Sequence, residues 1–139
     1  MTPWHQDQAY TRDRTRDALG RVTLWIPLHD VSIAMGCMWF APGTHRGPIV
    51  PHRRREERSG AHALQATRID GSAAVACPIP AGGLTAHFPR TLHYTGPNRT
   101  DHLRLAWILE FARASTPRVT ALVKARWWSM FTGRLAPAT

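Results

Sequence analysis

Two histidines and one aspartate carry the clearest chemical signal in this sequence. His5 and Asp7 form the pattern His-x-Asp, and His93 follows much later in the chain. Because residues two apart along a strand lie on one face, the side chains of His5 and Asp7 can reach the same ion. Two imidazoles and one carboxylate form the facial triad that holds Fe(II) and leaves coordination positions open for other ligands. The sequence therefore predicts a metal site at these three residues.

Other histidines compete for the second imidazole position. His87 lies in a strand-like run just before His93, but it lacks a threonine and an arginine at matching downstream offsets, so His93 is preferred. His45 follows a turn and is interpreted as structural, because the triad is complete without it. The remaining histidines show no partner pattern and are predicted to be surface or loop residues: His29, His52, His62 and His102.

A hairpin is predicted immediately after His93. The sequence Gly-Pro-Asn that follows Thr95 is typical of a turn, and a longer strand runs from Leu103 to Phe111. If Thr95 pairs with His102, Arg104 lies opposite His93 on the same face, about 5 Å away. The Arg104 guanidinium and the Thr95 hydroxyl would then bind a carboxylate beyond the metal. A 2-oxo diacid suits this arrangement, since its other end can chelate iron.

Four stretches of the chain carry motifs that are specific in combination. They are Trp4–Asp7, Val22–Leu28, Gly36–Arg46 and the segment around His93. In this order they resemble the phytanoyl-CoA dioxygenase family, over roughly residues 3–111. The resemblance implies an oxygenase that depends on Fe(II) and 2-oxoglutarate and that adopts a double-stranded β-helix, or jelly roll. Thr44 stands where the family more often has serine.

The resemblance also implies roles for individual residues. Arg104 and Thr95 would bind the distal carboxylate of the cosubstrate 2-oxoglutarate, and Trp25 would lie beside it. The iron ligands would be His5, Asp7 and His93. O₂ and a small organic substrate would complete the reaction, which is a hydroxylation.

The predicted fold class is all-β, an incomplete jelly roll of about six or seven strands with a C-terminal helix. It is expected to be incomplete because family members are usually about twice this length and carry the Trp-His-x-Asp motif near their middle. Residues 1–114 are assigned to the partial jelly-roll domain. Residues 115–139 are assigned to an amphipathic helix, since Pro117 suits a first turn and apolar residues recur at three- and four-residue steps. This helix is expected to pack on the jelly roll or across a homodimer; a partner or membrane surface is the alternative.

The clearest strand begins at Val22. Apolar residues alternate with Thr23 and Trp25 as far as Leu28, so Trp25 is predicted to face away from the aliphatic set. Ordinary packing and a place in the lining of the site are both compatible with this position.

Composition excludes several other classes. The chain has 139 residues, 43% of them apolar, which suffices for one domain with a core. It contains no apolar run of about 20 residues and no signal-peptide pattern, so no membrane span is expected and the cytoplasm is the expected compartment. Cys37 and Cys77 lie in apolar runs and are predicted to be buried free thiols rather than a disulfide.

The strongly basic charge is a weak indication of nucleic-acid binding. The net charge is +9, but only Lys124 among the 18 basic residues is a lysine. Arginine bias with abundant alanine and proline is typical of a GC-rich genome, and no nucleic-acid motif accompanies it. No nucleic-acid partner is therefore expected, with a basic binding domain kept as an alternative. The arginine-rich stretch 46–72 is interpreted as a solvated loop, or alternatively as a lid over an anionic substrate.

Two further alternatives to a hydroxylating dioxygenase remain at this stage. One is a non-catalytic or fragmentary remnant of such an enzyme. The other is a cupin-like metal-binding protein that uses another divalent ion, because imidazole and carboxylate ligands do not select iron alone. The sequence does not identify the substrate.

Overall fold

Short antiparallel strands make up the structure. The computed structural model describes residues 1–11, 18–55 and 63–113, together with the backbone of 124–129. Within these ranges the chain forms strands and 3₁₀ turns and no α-helix, so the all-β prediction is confirmed. The strands are β1 (Thr2–His5), β2 (Arg21–Pro27), β3 (Met38–Phe40), β4 (His52–Arg54), β5 (Leu64–Ala66), β6 (Val75–Cys77), β7 (Thr85–His87), β8 (His93–Thr95), β9 (Leu105–Ala112) and β10 (Lys124–Ser129).

Two four-stranded sheets form the body of the fold. Their strand orders are β1-β8-β3-β6 and β10-β9-β2-β7, and every pairing is antiparallel. A core lies between the sheets, where Trp25 of β2 and Met38 of β3 pack with Val31 and Cys37. Packing of two antiparallel sheets through their apolar faces is the arrangement of a jelly roll, here without closure into a barrel. Cys37 and Cys77 are both free thiols, as expected, but only Cys37 is buried and Cys77 is partly exposed.

Buried and partly buried side chains alternate along strand β2, which explains why this segment forms one strand of a sheet. Thr23, Trp25 and Pro27 are buried on its inward face, whereas Leu24 and Ile26 between them are only partly buried. The predicted alternation is therefore correct, and Trp25 faces away from the aliphatic set. β-Branched and aromatic side chains favour such a pleated surface that is buried on one side.

A small hairpin occupies part of the arginine-rich stretch that was predicted to be a loop. Strands β4 and β5 pair there, and Ala66 of β5 packs with Ala41 and Leu92 in a second core cluster. The side chains of Arg53 and Arg54 are exposed, in agreement with a solvated surface. Residues 56–62 of this stretch lie outside the described part of the chain.

The predicted hairpin after His93 is wrong. Strand β8 pairs with β1 and β3 in one sheet, and β9 pairs with β2 and β10 in the other. Both edges of β8 are thus occupied, so β9 cannot add to it, and the segment Gly96–Arg104 crosses between the sheets instead. The turn chemistry is present nonetheless, since the Asn98 side-chain amide donates a 2.7 Å hydrogen bond to the carbonyl of His102.

The prediction of a C-terminal helix is also wrong for the part of it that the structure describes. Of residues 115–139 the structure describes 124–129, and these form β10, which pairs with β9 from Lys124↔Glu110 to Ser129↔Leu105. An open strand edge offers a row of backbone hydrogen bonds, and Trp127 and Trp128 have strand propensity that the helical spacing concealed. The rest of the predicted helix lies outside the described residues. In the described ranges no helix is long and apolar enough to cross a bilayer.

The backbone at Gly36, before β3, approaches the backbone at Gly96, after β8, very closely, and this contact can be tested by substitution. Gly36 adopts φ +80°, and a Cβ there would lie 2.3 Å from the carbonyl oxygen of Gly96 and 2.9 Å from Nη1 of Arg104. Gly82 adopts φ +83° with no atom within 4 Å of such a Cβ. Gly82→Ala should therefore cost only the left-handed backbone strain of about 1–2 kcal/mol, and Gly36→Ala clearly more. Urea unfolding measures both, and equal losses would contradict this packing.

Candidate metal centre

The three predicted ligands lie together in the structure. His5 of β1 and His93 of β8 are directly opposed in the ladder, and their side chains are almost fully buried. Asp7 follows in the 3₁₀ turn Asp7–Tyr10, which turns its carboxylate back toward both rings. Oδ1 of Asp7 is 3.6 Å from Nε2 of each histidine, and one ligand atom from each residue lies within 4.8 Å of the others. This geometry allows all three to bind one ion.

Backbone carbonyls fix the tautomer of both histidines. Nδ1 of His5 is 2.7 Å from the carbonyl oxygen of Pro3, and Nδ1 of His93 is 2.9 Å from that of Thr91. A carbonyl can only accept, so Nδ1 carries the hydrogen in each neutral ring. Nε2 of each ring therefore carries a lone pair instead of a hydrogen, and this nitrogen faces Oδ1 of Asp7. Hydrogen bonds of this kind, made by the ring nitrogen that does not bind the metal, orient histidine ligands in metal proteins.

Electrostatics keep His5 and Asp7 in the protonation states of metal ligands. Burial, with a further contribution from His93, lowers the pKa of His5 to about 3. Burial alone would raise the pKa of Asp7, but His93, His87 and His5 together lower it well below its ordinary value. Neutral imidazole and ionised carboxylate are the forms that bind a metal. Two imidazole nitrogens and one carboxylate oxygen directed at one point fit Fe(II) and related divalent ions.

His87 also lies at the candidate metal centre, although His93 was preferred to it as the second histidine ligand. Its ring is 4.2 Å from that of His93, and its Nε2 is 3.2 Å from Oδ2 of Asp7. The hydroxyl of Thr23, a residue that the sequence did not single out, donates a 2.9 Å hydrogen bond to the same oxygen. Only strand register could have revealed this pair, because Thr23 of β2 is directly opposite His87 of β7.

Gln6, between the first two ligands, is a second residue that sequence reasoning missed. Its side chain is completely buried and points away from the metal site. The amide nitrogen donates to the carbonyl of Arg90 at 2.6 Å, and the amide oxygen accepts from the backbone of Val50 at 2.9 Å. Gln6 thereby fastens the first ligand segment to the chain that precedes His93. A polar residue between the two ligands of His-x-Asp was the available signal.

Arg104 reaches Thr95 by a route other than the predicted one. Both residues are buried, and Nη2 of Arg104 is 3.5 Å from Oγ1 of Thr95. Nη1 of Arg104 donates to the carbonyl of Gly36, and burial lowers the pKa of the guanidinium. Thr95 lies two residues from His93 along β8, which is about 7 Å. The guanidinium of Arg104 and the hydroxyl of Thr95 therefore lie together, about two strand residues away from the ligand His93.

Trp25 lies on the wall of the same region. Its side chain is buried between the sheets, and its neighbour on the inward face of β2 is Thr23, which contacts Asp7. In the adjacent strands it is opposite Thr85 and Ile108. Its place beside a cosubstrate remains a prediction.

The other histidines have structural surroundings. His102 is exposed, as predicted, and His62 lies outside the described residues. His45 packs against Phe88 with ring centres 5.3 Å apart. The prediction of a surface or loop residue is wrong for His52, which lies in strand β4, is partly buried and accepts the backbone N–H of Gln6 at Nε2, at 3.2 Å. His29 lies in the loop after β2, as predicted, and accepts from the backbone of Leu105 at 2.9 Å.

Replacement of a ligand tests the assignment of His93. His93→Ala removes one of three converging ligand atoms, so stoichiometric binding of Fe(II) under anaerobic conditions should be lost. His45→Ala is the matched control, because His45 packs on Phe88 and contributes no ligand atom. Equilibrium dialysis measures bound iron per chain. Retention of one iron by the His93 variant would show that this histidine is not a ligand.

Comparison with known proteins gives a consistent result. The family model described as "Phytanoyl-CoA dioxygenase (PhyH)" matches residues 1–106. A "Probable alpha-ketoglutarate-dependent hypophosphite dioxygenase" of Stutzerimonas stutzeri is 33% identical over 115 residues, which are 80% of this chain and 39% of that protein. The peroxisomal phytanoyl-CoA dioxygenase of Homo sapiens is 30% identical over 116 residues, which are 81% of this chain and 33% of that protein. The chain thus spans well under half the length of these relatives.

A solved structure supports the fold. EvdO2 from Micromonospora carbonacea var. aurantiaca, complexed with 2-oxoglutarate, is 35% identical, with a TM-score of 0.70. The match covers 93% of this chain and 49% of that one. The two-sheet arrangement described above is therefore the jelly roll that the sequence predicted.

Proposed function

Since the chain belongs to the phytanoyl-CoA dioxygenase family, we propose that it acts as a dioxygenase dependent on Fe(II) and 2-oxoglutarate that hydroxylates a small organic substrate. The observation that carries the proposal is one buried cluster. Two imidazoles with fixed tautomers and one ionised carboxylate converge there, and a buried arginine lies about two strand residues beyond them. When bound, iron would couple the oxidation of 2-oxoglutarate by O₂, which gives succinate and CO₂, to the insertion of the second oxygen atom of O₂ into a C–H bond.

The three ligands would hold the metal and leave positions open. His5, Asp7 and His93 approach from one side, since two lie on adjacent strands and the third on the turn that follows β1. Three protein ligands on one side of an octahedral ion leave the other side for the cosubstrate and O₂. The neutral imidazoles and the single carboxylate leave part of the charge of a divalent ion uncompensated, which favours an anionic cosubstrate.

Arg104 and Thr95 would bind the distal carboxylate of that cosubstrate. A buried guanidinium gains much from an anionic partner, because a charge-assisted hydrogen bond is stronger away from water. The hydroxyl of Thr95 accepts a 3.0 Å hydrogen bond from the backbone N–H of Thr2 and lies 2.9 Å from the hydroxyl of Thr2. It is thus held in place as a second contact for a carboxylate oxygen. Trp25 would close the apolar wall beside the carbon chain.

The cupin-like alternative has one observation in its favour. His87 brings a third imidazole to the carboxylate of Asp7, and a cluster of three histidines and one carboxylate can hold other divalent metals. That alternative gives no role to the buried Arg104. Binding of 2-oxoglutarate therefore separates the two functions.

Turnover of the cosubstrate tests the proposed activity. The chain loaded with Fe(II) should convert 2-oxoglutarate to succinate in the presence of O₂, faster when a suitable substrate from a panel is added. Asp7→Ala, which lacks the carboxylate ligand, should be inactive. Any longer product encoded in frame upstream of Met1 should be assayed in parallel, since the chain spans only part of its relatives. Absence of succinate from every form would refute the dioxygenase.

Arg104→Lys tests the cosubstrate site separately. A lysine cannot reproduce the planar pair of N–H donors that an arginine offers to a carboxylate. Loss of a buried charged hydrogen bond costs on the order of 2–5 kcal/mol, so affinity for 2-oxoglutarate should fall roughly ten-fold or more. Affinity for the metal should change little. Calorimetry on the metal-loaded protein measures both.

The matched control is Arg99→Lys, because Arg99 is an exposed arginine in the same connection between β8 and β9. Its affinity for 2-oxoglutarate should equal that of the unsubstituted chain. If Arg104→Lys and Arg99→Lys bind the cosubstrate equally well, Arg104 does not hold the carboxylate.

A further inference from the structure

The two oxygens of the Asp7 carboxylate have different surroundings. Oδ1 lies 3.6 Å from Nε2 of His5 and of His93. Oδ2 accepts a hydrogen bond of 2.9 Å from the hydroxyl of Thr23 and lies 3.2 Å from Nε2 of His87. One oxygen is thus directed at the predicted ion, and the other is occupied by two protein groups on its far side.

Both of these groups come from the sheet opposite the histidine ligands. Thr23 lies on β2 and His87 on β7, and the two residues are directly paired in the ladder. Directly paired residues present their side chains on the same face, about 5 Å apart, so one carboxylate oxygen can contact both. The two side chains are buried, at 5% and 6% exposure. The pair therefore forms a preformed cradle for one oxygen atom.

The hydrogen positions follow from simple chemistry. A carboxylate that binds a metal can only accept hydrogen bonds, so at 3.2 Å from Oδ2 of Asp7 Nε2 of His87 must carry the hydrogen. A nitrogen that carries a hydrogen has no lone pair for a metal at that atom. His87 is thus distinguished from His5 and His93, whose hydrogens lie on Nδ1. Its own Nδ1 is buried without a hydrogen-bond partner among the described residues.

We propose that Thr23 and His87 are positioning residues that hold Oδ2 of Asp7, so that the carboxylate presents Oδ1 alone to the metal. The inference rests on the proposed metal centre and adds to it a cross-strand pair from the opposite sheet. A free carboxylate can rotate and bind an ion through both oxygens, which would fill one more coordination position. Two donors on Oδ2 prevent this rotation and keep that position open for the cosubstrate or O₂.

A valine in place of Thr23 tests this role, since it has nearly the same shape and no hydroxyl. Loss of a contact of this kind typically weakens metal binding about 10–100-fold. We expect such a loss in the affinity of Thr23→Val for Co(II), measured without 2-oxoglutarate, together with a changed visible absorption spectrum of bound Co(II). Thr23→Ser keeps a hydroxyl and should retain an affinity close to that of the unsubstituted chain.

Thr85→Val is the matched control on the same sheet. Thr85 lies on β7 opposite Trp25, and its hydroxyl is buried with no hydrogen-bond partner among the described residues. The same substitution there removes no contact with Asp7, so Co(II) affinity and spectrum should be unchanged. Urea unfolding of the metal-free variants separates a loss of stability from a loss of positioning. Equal Co(II) affinities for Thr23→Val and Thr85→Val would overturn the proposal.

Two substitutions at His87 decide between a positioning residue and a fourth ligand. His87→Gln keeps an N–H donor, and His87→Leu keeps none. If His87 positions Asp7, the glutamine variant should bind Co(II) more tightly than the leucine variant, and both should retain one ion per chain. Loss of stoichiometric Co(II) from both variants would show that His87 is itself a ligand and would overturn the proposal.

The outcome is separable from that of the proposed function. Unchanged Co(II) affinity in Thr23→Val, alongside succinate formation by the unsubstituted chain, refutes the positioning pair and leaves the dioxygenase in place. Absence of succinate, alongside weakened Co(II) binding by Thr23→Val, refutes the dioxygenase and leaves the positioning pair in place. An unsubstituted chain that binds no Co(II) refutes both.

Discussion

The carboxylate of Asp7 is the group on which the other parts of this structure converge. It is an ionised group in a largely buried position, and burial of such a charge is costly unless other groups compensate it. The hydroxyl of Thr23 and Nε2 of His87 supply that compensation at Oδ2, and a bound cation would supply it at Oδ1, where His5 and His93 converge. The charge therefore joins the two sheets at the place where the apolar core gives way to polar groups. Packing of Trp25 against Met38 provides the apolar contact beside it.

The site depends on connections that are distant in sequence. Arg104 reaches Thr95 because the segment after β8 crosses to the opposite sheet, and the close approach of Gly36 to Gly96 leaves just enough room for this crossing. The side-chain amide of Gln6 has a similar role, because it connects the first ligand segment to the backbone at Val50 and at Arg90. His5 and Asp7 are close in sequence, but His93 joins them only because β8 pairs with β1.

The residue types at the site could be read from the sequence because their chemistry is specific. His5, Asp7 and His93 share a recognisable pattern, and alternation along β2 placed Trp25 on the correct face. Partners across sheets could not be read in this way, since periodicity along one strand says nothing about which strand lies beside it. The same limit explains the wrong hairpin after Thr95 and the strand found at 124–129 in place of a helix. Thr23 was missed because only the register of β2 with β7 gives it a role.

The contacts that orient His5 and His93 come from the main chain, and this affects how the centre tolerates evolutionary change. The carbonyl groups of Pro3 and Thr91 accept the Nδ1 hydrogens, and every amino acid supplies a carbonyl. Substitution at either position leaves this acceptor in place as long as the backbone keeps its path. The orientation of the imidazoles can thus be inherited through extensive drift in neighbouring side chains. Homologues that share only the ligands and the path of these strands would keep the same tautomers, with no conserved residue to mark the reason.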